Sequence, residues 1–154
     1  MMTPGFLLHQ ALAGAVAAAG FGILFNVSFR QLPWCAACGA LALAVRTSCQ
    51  ALGLTLVGAS FLAGLALGIA VQLRWRTAET PQDVLEVVGC IPMIPGSWAS
   101  KAILGLYALT TGNLRPDSQF LFDVAEYSLL VVFTIGAIGT GLLIPKLLTR
   151  LRIP

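Results

Sequence analysis

Four stretches of this chain, Leu7 to Phe25, Pro33 to Cys49, Thr55 to Leu73 and Phe120 to Ile144, are apolar almost throughout. Each is close to the ~20 residues that a helix needs to cross the ~30 Å hydrocarbon core of a bilayer. A bilayer interior offers no water to backbone amides and carbonyls, so segments of this kind must bond within themselves and become helices. Composition agrees: of 154 residues 58% are hydrophobic and 10% charged, and the mean hydropathy is +0.90, far from the soluble average. The expected fold is therefore all-α, a polytopic membrane helical bundle, with residues 1–154 forming a single integral membrane domain. The first run is too long, and too weakly basic at its amino end, for a cleaved signal peptide, and is read as a helix.

A fifth apolar stretch, Pro81 to Thr111, is interrupted by G-C-I-P-M-I-P-G-S-W-A-S-K, Gly89 to Lys101. Taken as one crossing, it brings the count to about five spans with the fourth broken at Pro92–Gly96. Basic residues then orient the chain. With the amino terminus outside and the carboxyl terminus cytoplasmic, Arg30, Arg74, Arg76, Lys146, Arg150 and Arg152 face the cytoplasm and Arg115 faces out, the bias of the positive-inside rule. Were Pro81 to Thr111 a re-entrant hairpin, the basic tail K-L-L-T-R-L-R would end up outside, which makes the hairpin the poorer reading. The net charge of +3 is accounted for by this bias, and no basic patch interleaved with aromatics points to nucleic acid.

The broken stretch carries the chemistry. Thr80, Pro81 and Asp83 have the pattern of an N-cap, a first-turn proline and an acidic residue near the positive end of a helix. Pro92 and Pro95 each remove an amide donor and disfavour helical geometry in the preceding residue, so the helix is expected to stop near Ile91. Gly96 permits a turn, Ser97 can cap, and Trp98 to Thr111 can form a second short helix. Broken backbone at membrane depth must be buried in protein or line a watery cavity. Into such a cavity the second helix would point free amides from Ser97 to Ser100 and its positive dipole end, with the hydroxyls of Ser97 and Ser100 and the ammonium of Lys101 close by. That combination suits an anion such as a carboxylate, and discontinuous helices build the midplane sites of many secondary transporters. The alternative is a proline kink that shapes packing, with Lys101 snorkelling to water.

Intramembrane charges are costly and usually face a partner or a cavity. Arg46 lies near the outer end of the second span, and Asp123 and Glu126 lie three residues apart near the outer end of the last. By depth Arg46, Lys101 and Glu126 can surround one substrate, or Arg46 and Glu126 can be a structural ion pair or snorkel. Asp123 is shallower and can be merely interfacial. Gly64 with Gly68, and Ala137 with Gly141, are small-residue pairs spaced for close helix packing. The substrate-binding candidates are thus Pro92, Pro95, Gly96, Ser97, Ser100, Lys101, Arg46 and Glu126. W-C-A-A-C, Trp34 to Cys38, has the spacing of a redox pair but no strand-helix context, and two small buried cysteines on one helical face are the simplest reading. The only histidine, His9, sits far from the cysteines, so no metal set can be drawn, and no catalytic motif, enzyme activity or cofactor is expected.

The run A-A-A-G-F-G-I-L-F-N-V-S-F-R-Q-L-P-W-C-A-A-C-G-A-L, Ala17 to Leu41, followed by C-I-P-M-I-P-G-S-W-A-S-K-A-I, Cys90 to Ile103, resembles the threonine/serine exporter family. More narrowly it is similar to the small stand-alone subunit that corresponds to the carboxyl-terminal half of fused exporters, the half proposed to act in succinate export in enteric bacteria. The resemblance covers nearly the whole chain. It implies a bacterial inner-membrane subunit working with a larger membrane subunit that carries the other half of the transporter, in a hetero-oligomer or a higher oligomer. It also implies export of small amino acids or dicarboxylates driven by an ion gradient. The family's P-x-x-P-G element is carried over as Pro92, Pro95 and Gly96. Where some relatives have a tyrosine or another polar residue shortly afterwards, this chain has Ser100 and Lys101, and the added cation favours a second carboxylate over a zwitterion. The competing functions are a non-transporting membrane subunit that stabilises or regulates a partner, and a membrane thiol oxidoreductase using Cys35 and Cys38.

Overall fold

The computed structural model describes residues 4–74, 82–111 and 117–151. They form six helices: α1 (Pro4–Leu24), α2 (Leu32–Ala51), α3 (Leu56–Arg74), α4 (Gln82–Cys90), α5 (Gly96–Thr110) and α6 (Ser118–Leu151). One 3-10 turn, Ile91–Met93, follows α4, and no strand occurs among the described residues. Four helices (α1, α2, α3 and α6) are long and apolar enough to cross a membrane, and α4 with α5 makes a fifth if the broken pair counts as one span. Thr80 and Pro81, the expected start of the broken span, lie outside the described residues, and Asp83 is in the first turn of α4.

Local chemistry sets the ends of these elements. Pro33 falls in the first turn of α2, where its missing N–H costs nothing. At the other end of α2 the chain closes a Schellman motif, with Gly53 at φ +90°. There the Leu54 amide donates to the Cys49 carbonyl and the Gly53 amide to the Gln50 carbonyl, at 3.1 and 3.0 Å. Thr55 then caps α3 by accepting the Gly58 amide at 3.3 Å.

The chain partitions into two compact units. The larger comprises residues up to Met93 and from Ala137 onward, that is α1 to α4, the 3-10 turn and the second part of α6. Its helices approach by their backbones. A Cβ on Gly39 would lie 2.3 Å from the Gly14 carbonyl oxygen, and one on Gly64 would lie 2.8 Å from that of Ile138. A Cβ on Gly141 would meet the Phe61 carbonyl oxygen at 2.5 Å, so the expected glycines of α3 and α6 do face one another's helices. Ala18, Cys35, Ala42, Ala63, Leu67, Val71, Leu85, Val88, Met93 and Ile138 form the buried core. At one end, Lys146 of α6 is paired with Asp83 and lies 3.9 Å from the buried carboxylate of Glu86, which also accepts from Gln82 at 2.8 Å. Thr149 donates to Gln72 of α3 at the same end of α6.

The smaller unit, Ile94–Gly136, holds α5 and the first part of α6. Gly105 admits Val124 so closely that a Cβ would come within 2.4 Å of a Val124 methyl. In both units large apolar side chains such as Leu8, Val16, Ile103, Phe122 and Val132 point outward, a surface suited to lipid.

Candidate substrate site at the helix break

α4 stops at Cys90, one residue before the expected end, and a single 3-10 turn carries the chain through Pro92 to Met93. The cause is covalent: Pro92 and Pro95 have no N–H to offer the carbonyls four residues earlier. α5 resumes at Gly96 with Pro95 at its N-cap, making no side-chain cap. Ser97 therefore lies inside the first turn and does not cap, contrary to the sequence expectation. A proline with a free carbonyl serves as well, since Pro95 accepts the Ala99 amide at 3.0 Å while the Gly96 amide folds back to the Ile94 carbonyl at 2.8 Å. The amides that lack a partner within the helix are accordingly those of Ser97 and Trp98, fewer than the Ser97 to Ser100 set that the sequence suggested.

In the larger unit, Arg46 of α2 donates through Nη1 to the carbonyl of Met93, a fully buried residue of the break. The arginine thus meets an acceptor that a continuous helix would have kept for itself. Four guanidinium donors are left over. In the smaller unit, the Ser100 hydroxyl donates to the Gly96 carbonyl at 2.9 Å, bracing the first turn of α5. Lys101 is exposed, and its ammonium lies over two rings, 4.9 Å from the centroid of Trp98 and 5.4 Å from that of Tyr127. Glu126 is exposed and forms no ion pair with Lys101, while Asp123 accepts from Gln119 one turn earlier at 3.4 Å.

Trp98 and Tyr127 were not among the site residues expected from the sequence. Trp98 is three residues before Lys101 on one helix, a spacing that puts both on one face and is visible in the sequence. The contact with Tyr127 is tertiary and is not. The cysteine pair lies within α2: Cys35 is buried against Gly22 of α1, and Cys38 touches Gly89 of α4. Two cavities of the larger unit lie away from the break. One, of 120 Å³, is bordered by Trp34, Cys38, Leu41 and Leu85, and the other, of 190 Å³, by Phe25, Asp83, Val84 and Val87.

Against known proteins, the family model described as Threonine/Serine exporter, ThrE, matches residues 10–148, which contain all of the helix break and both cations discussed above. The chain belongs to the threonine/serine exporter family. Membership in the threonine/serine exporter family places it in a transporter family, and together with the apolar helices makes it a multi-pass membrane protein. No solved structure matches the chain significantly.

Proposed function

We propose that the chain is a subunit of a secondary exporter in a bacterial inner membrane. It passes small carboxylates out of the cytoplasm together with a larger membrane subunit that carries the other half of the transporter. The observation that carries this reading is the break between α4 and α5, which frees the first amides of α5, the helix that carries Lys101. The Ser97 and Trp98 amides and the positive end of the α5 dipole attract a carboxylate, the Ser97 hydroxyl adds a donor, and Lys101 adds a full charge. Ser100 joins only by rotating away from the Gly96 carbonyl. Glu126 supplies a counter-charge, or carries a proton, when the site is empty. Arg46 keeps the break open by holding the Met93 carbonyl. A full positive charge at Lys101 in addition to the helix end suits a dicarboxylate better than a zwitterion.

In topology the chain makes five crossings with its amino terminus outside. Asp83 at the start of α4 pairs with Lys146 near the end of α6, so these ends share a side. With α6 one crossing, the segment from Gln82 to Thr110 has to cross as well. That supports a broken span over a re-entrant hairpin.

The test is efflux from vesicles containing this chain and its partner subunit, loaded with succinate or with threonine. Lys101→Gln is expected to reduce succinate efflux at least tenfold and threonine efflux much less. Equal efflux of succinate by the variant and the natural protein would place the anion site elsewhere, and efflux that needs only the partner would make this chain an accessory subunit.

A further inference from the structure

We infer that Trp98 and Tyr127 are positioning residues that hold the Lys101 ammonium in place without neutralising it, an inference that rests on the carboxylate-site reading given above. Three distances describe the arrangement. The ring centroids of Trp98 and Tyr127 are 5.2 Å apart with their planes tilted by 50°, and the ammonium is 4.9 Å from the first and 5.4 Å from the second. The nitrogen and the two rings thus form a nearly equilateral triangle. One ring comes from α5 and the other from α6, and one to two turns away the Val124 side chain of α6 packs against Gly105 of α5.

What this does to the lysine follows from its chemistry. A lysine head is a compact, strongly hydrated charge on a flexible four-carbon stem, and unrestrained it samples many positions. A carboxylate partner would fix it but would cancel its charge and occupy its donors. No carboxylate, Glu126 included, forms an ion pair with Lys101 among the described residues. Ring faces attract a cation through their quadrupole and carry no net charge, so the ammonium stays charged and keeps its outward N–H donors. A cation held in this way has already lost its rotamer freedom before an anion arrives, which lowers the cost of binding. A lysine that only snorkels requires neither ring.

Two measurements separate this inference from the carboxylate site itself. The chain has two lysines, so protein labelled with 13C-lysine gives two side-chain Cε signals in detergent, assigned with Lys101→Arg. The Lys101 Hε signals are expected upfield of those of Lys146 through the ring currents, to stay there in Tyr127→Phe, and to move downfield in Tyr127→Leu and Trp98→Leu. Unchanged shifts in both leucine variants overturn the contact. In vesicles with the partner subunit, Tyr127→Leu is expected to raise the apparent KM for succinate several-fold at little change in maximal rate. Tyr127→Phe should restore it, and Tyr127→Leu should add nothing in a Lys101→Gln background. A downfield shift with an unaltered KM, or a Tyr127→Leu effect that persists without the lysine, overturns the positioning role. Normal succinate efflux by Lys101→Gln alone would instead defeat the carboxylate site and leave the ring contact to be judged by the shifts.

Discussion

A charged side chain at the centre of a spanning helix costs about 2.5 to 3.5 kcal/mol on insertion scales, and the two cations near the break offset that cost by different means. Arg46 is met by a backbone acceptor. The Met93 carbonyl has lost its place in a helical ladder because the chain turns at Pro92 and Pro95, and the guanidinium reaches it from α2. Lys101 is met by ring faces. The arginine contact makes a sharp prediction, because an unmet buried carbonyl costs about 1 to 3 kcal/mol while a contact kept by another donor costs far less. Arg46→Leu should lower unfolding stability in mixed micelles by about that amount, and Arg46→Lys, which retains a donor on a long stem, should recover at least half. Equal stability of the two variants would mean that Met93 does not depend on residue 46. The reason this pairing was illegible beforehand is plain: a carbonyl belongs to every residue, so no side-chain identity at position 93 announces it.

The elements themselves were far more legible, because a run of about 20 apolar residues specifies a spanning helix through length alone, whatever its neighbours do. Leu7 to Phe25 became α1, Pro33 to Cys49 α2 and Thr55 to Leu73 α3, each within three residues at its ends. The break was equally visible, since proline acts locally. Partners were not. Gly64 and Gly141 stood out by their spacing, yet nothing in the sequence pairs Gly14 with Gly39, which make the tightest approach between α1 and α2. Gly39→Ala should therefore destabilise strongly, because its methyl would sit 2.3 Å from a backbone oxygen and 2.4 Å from Ala18 Cβ. The two helices would have to separate, at a cost typical of overpacking, about 1 to 3 kcal/mol. Gly20→Ala in α1 is the matched control, with nothing within 4 Å of the added carbon, and should be neutral or gain up to about 1 kcal/mol from helix propensity. Thermal unfolding in detergent reports both, and similar melting of the two variants would deny the close contact. At the break, replacing Pro92 and Pro95 together by alanine favours one continuous helix by about 3 kcal/mol per proline. Membrane insertion should survive and succinate efflux should not; full efflux by this variant would reduce the motif to a kink that only shapes packing.

At the scale of the whole molecule, the way the chain threads the bilayer links the polar end of the larger unit to the direction of transport. Lys146 with Asp83 and Glu86, and Thr149 with Gln72, lie where α3 ends, α4 begins and α6 ends. Phe25, at the end of α1, borders the same cavity as Asp83 and so belongs to that side too. Arg30 follows Phe25 closely in the chain, so the basic residues Arg30 and Lys146 are brought to one face, which the positive-inside rule assigns to the cytoplasm. In the proposed topology α1 runs inward from an external amino terminus, α2 outward, α3 inward, α4 with α5 outward and α6 inward. That proposal counts an odd number of crossings, with the broken pair as one of them. Alkaline phosphatase, active only outside the cytoplasm, checks this at two points. Fused in the connection between α5 and α6 it should be active, and fused after Pro154 it should be inactive. Activity at the carboxyl terminus would overturn the assignment. Activity there combined with inactivity in the connection would turn α4 and α5 into a hairpin that enters and leaves from the cytoplasm, and would leave the anion site facing that side alone.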